Sequence, residues 1–253
     1  MRDSSALIAR LRRVAAGTGP AQADPRPMDA WLAGGLHPAQ LHEIHAAEAN
    51  DGAAVAGFAV ALALAAGATP LLWLRTRAAE RQGGRLHATG LFEMGLSPHA
   101  LVLAVVEDEA ALLRAAADGA RCAGLGTLLV EAWGPAPGLD LTATRRLMLA
   151  AEASGVAVLV LRVGAGGGAS AAASRWSVSA SPSAALEADA PGRPAFDVEC
   201  VRRRGGPAGQ RWCVEWNRDD RCFDPAPLSG ARLPLAPRGA AAQHPRAPVR
   251  RTG

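Results

Sequence analysis

The chain has 253 residues, 49% of them apolar and only 4% aromatic, so it is long enough for one large α/β domain, or one domain with appendages, and can build a core. A net charge of +4 makes its basicity mild on average, and the charge matters only where Arg clusters. All 27 residues counted as Lys plus Arg are Arg, which excludes a lysine grip on phosphate anywhere in the chain.

Residues 4–16 read as a short amphipathic helix with Leu7, Ile8, Leu11 and Val14 on one side and Asp3 or Ser4 as its cap. Arg10, Arg12 and Arg13 within it, and the missing apolar run, argue against a secretory signal. A Gly- and Pro-punctuated linker follows. The chain therefore divides into a helix and linker over residues 1–27, a core over residues 28–223 and a Pro/Arg-rich tail over residues 224–253.

Gly34, Gly35 and Leu36 lead to a short strand, Leu41 to His45, a loop from Ala46 to Gly52 and a small-residue helix from Ala53 to Ala66. Strand, tight loop and helix N-terminus are the parts of a phosphate-binding P-loop. The motif Gly-x-x-x-x-Gly-Lys-Ser/Thr is nevertheless absent. Its first Gly falls near Ala46, its last survives as Gly52 after one extra residue, and Ala53 and Ala54 stand where the Lys and the metal-binding hydroxyl belong. Hydrolysis needs a cation on the terminal phosphates and a hydroxyl on the metal, and two alanines supply neither. Drift of Lys to Arg does not explain Ala53, because drift would leave Arg there. The expectation is a protein that is not an enzyme and carries neither cofactor nor metal.

Residues 52–74 contain no charge and are long enough to imitate a membrane span, but Gly67-Ala68-Thr69-Pro70 breaks the run. A helix followed by a buried parallel strand, Leu71 to Leu74, fits better. Cys122, Cys200, Cys213 and Cys222 form no C-x-x-C pair and have no His at metal spacing, so they read as free thiols of a reducing compartment. The expected location is cytoplasmic.

Arg75, Thr76 and Arg77 come at the carboxyl end of the second strand, where open parallel sheets place ligand chemistry. A helix from Ala78 to Met94, a strand from Leu101 to Val105 and a helix from Glu109 to Cys122 follow. Next come a strand from Leu125 to Val130 ending in Glu131, a helix from Asp140 to Ala153 closed by Gly155, and a strand from Val156 to Leu161. This alternation predicts a mainly parallel α/β sheet flanked by helices. Gly164 to Ser174 reads as a mobile loop, Arg175 to Val178 as a short strand, and Phe196 to Val201 with Arg211 to Trp216 as a β-hairpin around Gly205-Gly206-Pro207. From Asp224 on there are six Pro, five Arg and one Asp without periodicity, the composition of a disordered tail.

The candidate site residues divide between chemistry and structure. Glu131 is either a metal or water ligand or a carboxylate bonded to a neighbouring N–H or Arg. Arg75 and Arg77 either grip a phosphate or acidic partner or form a solvated pair. His42 and His45 face opposite sides of a strand and cannot chelate one ion. Arg202, Arg203 and Arg204 at the hairpin tip either meet DNA phosphate or an acidic protein surface or are solvated. Trp212 and Trp216 either anchor a partner or belong to the core. Arg232, Arg238, Arg246, Arg250 and Arg251 make the tail a docking arm for DNA or an acidic groove, or an untethered end.

The order of these pieces resembles the RecA-like ATPase core. The strings that carry the likeness are Gly34-Gly35-Leu36, Glu43-Ile44, residues 90–96 before the third strand, Leu128-Leu129-Val130-Glu131 in the place of the Walker B strand, and the closing hairpin from Phe196. More narrowly, the chain resembles the ImuA family of RecA- and SulA-related proteins of damage-inducible mutagenesis operons. That likeness rests on Leu41-His42-Glu43-Ile44, on residues 139–147, on Ser174-Arg175-Trp176-Ser177-Val178 and on Val214-Glu215-Trp216. The resemblance implies a RecA-like fold with a degenerate P-loop and a non-catalytic accessory role in SOS-induced error-prone translesion synthesis. It implies bridging of an ImuB-like protein and a mutagenic polymerase, with contact to RecA or DNA and an oligomer left open. The alternatives are a weak ATP-binding recombinase modulator working through Glu131 and a SulA-like inhibitor of cell division.

Overall fold

Apolar runs without alternation form strands covered on both faces, and the centre of this chain is built that way. The structure, a computed structural model, describes residues 38–226 apart from 165, 184, 186, 188, 189, 191 and 207. Five strands, β1 (Leu41–Ala46), β2 (Leu71–Thr76), β3 (Leu101–Val106), β4 (Thr127–Trp133) and β5 (Ala157–Val163), lie parallel. β6 (Ser174–Ser181) pairs parallel to β1. β7 (Ala195–Arg203), β8 (Gln210–Asn217) and β9 (Cys222–Pro225) then continue antiparallel. The nine strands form one sheet in the order β3-β2-β4-β5-β1-β6-β7-β8-β9.

The helix after β1, α1 (Gly52–Ala65), carries no charge and is buried almost all round. An all-apolar helix needs cover on every side. Here the parallel strands supply one side through Ile44, Trp73, Leu129 and Leu161, and the antiparallel strands supply the other through Phe196, Val214, Trp216 and Phe223. Phe58 of α1 meets the Phe196 ring at 5.6 Å and the Phe223 ring at 5.4 Å, distances typical of favourable edge packing. The uncharged run is therefore a core helix, and no described helix is long and apolar enough to cross a membrane.

Two short helices, α2 (Arg77–Gly83) and α3 (Ala88–Glu93), lie between β2 and β3 where the sequence pattern predicts one. Gly84 at φ +77° breaks the run, and the His87 ring caps the second piece by accepting from Gly90 N. The opposite face is covered by α4 (Glu109–Ala120) and α5 (Leu141–Ser154), which bury Leu72, Leu74, Val130 and Val160. Asp108 and Asp140 cap them through the backbone N–H groups of Ala111 and Ala143.

Other expectations are corrected at element ends. β2, β4 and β5 run past Leu74, Val130 and Leu161, so Arg75, Glu131 and Arg162 belong to the sheet. β6 has eight residues, and β9 was not foreseen. The second half of the loop from Gly164 to Ser174 is anchored and not mobile: Ala171 N donates to Thr144 Oγ1 at 3.1 Å and Ala173 N to Leu41 O at 2.8 Å. The N-terminal helix and linker, Gly34-Gly35-Leu36 and the tail beyond residue 226 lie outside the described residues.

Gly126, ahead of β4, shows how tightly the layers meet. A Cβ there would lie 2.5 Å from Thr69 N and closer still to the Ala68 carbonyl, backbone against backbone. Gly126→Ala is expected to destabilise the fold by about 3 kcal/mol in chemical denaturation, whereas Gly166→Ala, with open space around it, stays within about 0.5 kcal/mol of wild type.

Candidate functional site

The sheet's carboxyl edge, where β1 meets α1, is the place a phosphate site would occupy. Ala46 ends β1, Ala49–Asp51 form a turn of 3-10 helix, and Gly52 opens α1 with Ala53 exposed and Ala54 buried behind it. A phosphate loop aims free N–H groups at its ligand, but this loop turns three of them onto protein. Ala47 N donates to Val178 O at 3.0 Å, Glu48 N to Asp51 Oδ2 at 3.0 Å, and Asp51 N to Glu48 O at 3.1 Å. The second Asp51 oxygen accepts from Ala180 N at 3.0 Å. Two carboxylates, Glu48 and Asp51, thus stand at the loop and disfavour an anion.

Beside the first residue of α1 lies a tryptophan. Trp133, the last residue of β4, packs its indole between the first residue of α1 and the last of α2. A Cβ on Gly52 would come within 2.6 Å of that ring, and one on Gly83 would collide with it as well. Gly52, which in sequence is the surviving end of a phosphate motif, is in this fold the seat of an indole.

Glu131 holds that indole in place. It is 4% exposed and receives three donors: Trp133 Nε1 at 2.6 Å and Arg75 Nη2 at 3.0 Å on Oε1, and Trp73 Nε1 at 2.8 Å on Oε2. Arg75, buried beside it in register, also donates to Gly84 O at 2.9 Å and Ala79 O at 3.3 Å. The structure therefore brings Glu131 and Arg75 together as an internal ion pair and takes Arg75 away from solvent. Arg77 stays outside, 2.6 Å from Glu107. Among the described residues no group of three His, Cys, Asp or Glu could hold a metal ion.

A second charged cluster, not foreseen, lies on the α5 side of the sheet. Glu43 of β1, fully buried, sits 3.3 Å from Arg162 Nε of β5 and accepts from Arg175 Nε of β6 at 2.8 Å, with His45 Nε2 at 3.5 Å. Burial is the largest influence on Glu43 and pushes its carboxyl up. Hydrogen bonds from His45 and Arg175 and the charges of Arg162 and Arg175 together outweigh it, lowering the pKa from 4.5 to about 2. The available signal was one ionisable residue set in each of three otherwise apolar runs, Arg75, Glu131 and Arg162, and Glu43 between two histidines in a fourth. On a strand buried on both faces such a residue needs a partner. His42 is structural too, its Nδ1 lying 2.7 Å from Ser174 Oγ.

Two of the hairpin arginines, Arg202 and Arg204, are exposed yet bonded to the neighbouring loop. Arg202 Nη2 donates to Ala172 O at 2.8 Å, and Arg204 Nη2 to Ala171 O at 3.0 Å, with the Arg204 guanidinium also against Met148 Sδ. These two residues brace the Gly/Ala loop, so they are not a free turn. Arg203 is half-buried. Trp216 is core and Trp212 is half-buried against Trp176. Arg232, Arg238, Arg246, Arg250 and Arg251 lie outside the described residues. A cleft of about 670 Å³ opens beyond β4 and β5, lined by Pro135, Pro137, Leu139, Leu141 and Arg162 among others. The one cation among its described lining residues, Arg162, is engaged by Glu43 and by Leu139 O at 2.5 Å.

No family model matches the chain, and no curated protein matches it. Among solved structures 390 chains match, a breadth that identifies an architecture and not an activity. One is the crystal structure of the RadB recombinase, with a TM-score of 0.52 and 14% identity over 76% of this chain and 94% of that chain. The fold is thus RecA-like, a mainly parallel sheet flanked by helices with antiparallel hairpins at its C-terminal side.

Two substitutions check the buried charges. Glu131→Gln leaves Arg75 charged and unpaired in the interior and is expected to cost about 3 kcal/mol in chemical denaturation. For Glu43 the folded pKa lies below the unfolded one, so its contribution is complete above pH 4.5 and is lost as the pH falls toward about 2. The stability gap between wild type and Glu43→Gln is therefore expected to narrow by on the order of 3 kcal/mol between those limits, as read by denaturant titration at each pH.

Proposed function

We propose that this chain is a RecA-fold adaptor that binds and hydrolyses no nucleotide and serves error-prone translesion synthesis, bridging an ImuB-like protein and a mutagenic polymerase. The observation that carries the first half is the indole of Trp133 packed against Gly52, beside a loop in which the N–H groups of Ala47, Glu48 and Asp51 are engaged by Val178, Asp51 and Glu48. A triphosphate tail there would have to displace the ring and approach Glu48 and Asp51 without a lysine. The second half rests on the resemblance of residues 139–147, 174–178 and 214–216 to the ImuA family. The first of these strings caps and opens α5, and the other two lie in β6 and β8, where they are largely buried within the sheet.

Surface chemistry favours protein over nucleic acid as the partner. The cleft beyond β4 and β5 offers prolines, leucines and one engaged arginine, which gives no track for a phosphate backbone. Arg202 and Arg204 already hold the loop carbonyls.

The Ala53→Lys/Ala54→Thr double variant is expected to show no ATPase activity above background, because the two residues restore the motif but leave Trp133 and the closed loop in place. Turnover in that variant would show that the two alanines alone silenced the site. The full chain is expected to capture the ImuB-like protein in pull-down, with binding weakened about tenfold or more by deletion of residues 224–253. Absence of capture by the full chain would refute the adaptor.

A further inference from the structure

The two edges of the sheet are unequally protected. β9 has four residues, ends in Pro225, and carries Asp224 paired with Arg193 at 3.1 Å, the features that discourage strand addition. β3 has six residues, Leu-Val-Leu-Ala-Val-Val, with no charge, proline or bulge. Among the described residues it pairs only with β2, and Leu103 at its centre is 42% exposed. A long apolar edge with free N–H and C=O groups is a template for another strand.

We infer that the β3 edge joins a second copy of this chain, antiparallel about a two-fold axis at Leu103, giving one continuous sheet. The self-complementarity of the strand supports this occupant. A two-fold axis perpendicular to the sheet keeps equivalent faces together, so residues of equal parity must oppose one another. Centring it on Leu103 sets that exposed leucine against its own copy, Leu101 against Val105 and Val102 against Ala104. The same register brings exposed His99, in the turn before the strand, toward exposed Glu107 of the second copy, whose carboxylate already pairs with Arg77 of its own chain. Apolar meets apolar at the centre and a cation-forming ring meets a carboxylate at each end. A chance peptide partner has no reason to satisfy all of these at once. One six-residue pair buries less than a standard interface, so the dissociation constant falls at about 1–100 µM. This interface uses nothing of the loop before α1 and stands independently of the proposed adaptor role.

Sedimentation equilibrium of the full chain from about 1 to 200 µM tests it, beside the Leu103→Lys variant, which sets two ammonium groups against each other on the axis. The expected result is a concentration-dependent dimer whose dissociation constant rises about tenfold or more in the variant, with an unchanged thermal melt because Leu103 is exposed. Leu103→Cys under mild oxidation is expected to give a covalent dimer, since opposed Cα atoms in an antiparallel pair lie within disulfide reach. Wild type, with Cys122, Cys200, Cys213 and Cys222 as its own thiols, is expected to give none. A monomer at about 200 µM, a dimer indifferent to Leu103→Lys, or protection from hydrogen exchange in the monomer of those alternate β3 amides that point away from β2 would each overturn the inference.

Discussion

A carboxylate buried in the middle of a parallel sheet has to be satisfied completely, and Glu131 is satisfied by three donors from two adjacent strands. That demand fixes the neighbourhood. It holds Arg75 inside, where Nη2 and Nη1 also donate to the Ala79 and Gly84 carbonyls of the α2 region. It also orients the Trp133 indole, and the indole in turn requires that Gly52 and Gly83 carry no side chain. The start of α1 is thus shaped from within by an ion pair and a ring.

The same logic repeats on the other face. Glu43, Arg162 and Arg175 tie three neighbouring strands together, and Arg175, at the start of β6, reaches on to Gly168 O at 2.7 Å, steadying the Gly/Ala loop that Arg202 and Arg204 also hold. In open α/β sheets the carboxyl edge is where ligands enter. Here the buried charges pair with one another, Arg75 with Glu131 and Arg162 with Glu43, so these side chains are already committed to protein partners. What remains available is surface: the apolar cleft beyond β4 and β5 and the bare edge of β3.

Sequence patterning made the parallel core legible because an uninterrupted apolar run such as Leu128-Leu129-Val130 has few alternatives to a doubly covered strand. It misplaced the strand ends for a related reason. The pattern stops these strands at Leu74, Val130 and Leu161, whereas Arg75, Glu131 and Arg162 each continue their strand because a partner waits on the next or nearby one, and for Glu131 that partner is the neighbouring Arg its second reading allowed. Pairing across 56 residues, as for Arg75 and Glu131, leaves no local trace. The division of α2 from α3 turned on the φ of Gly84, and β9 was too short to show a period. At the site, the missing lysine and hydroxyl were visible at Ala53 and Ala54. The plug was not, because nothing in Glu-Ala-Trp-Gly says which helix start the indole will reach.

The central claim is that the space before α1 belongs to Trp133 and not to a nucleotide, and calorimetric titration of the wild-type chain with ATP and Mg²⁺ tests it most directly. The account predicts no saturable heat up to about 1 mM nucleotide. A saturable isotherm with a dissociation constant below about 100 µM, abolished by Glu131→Ala, would contradict it.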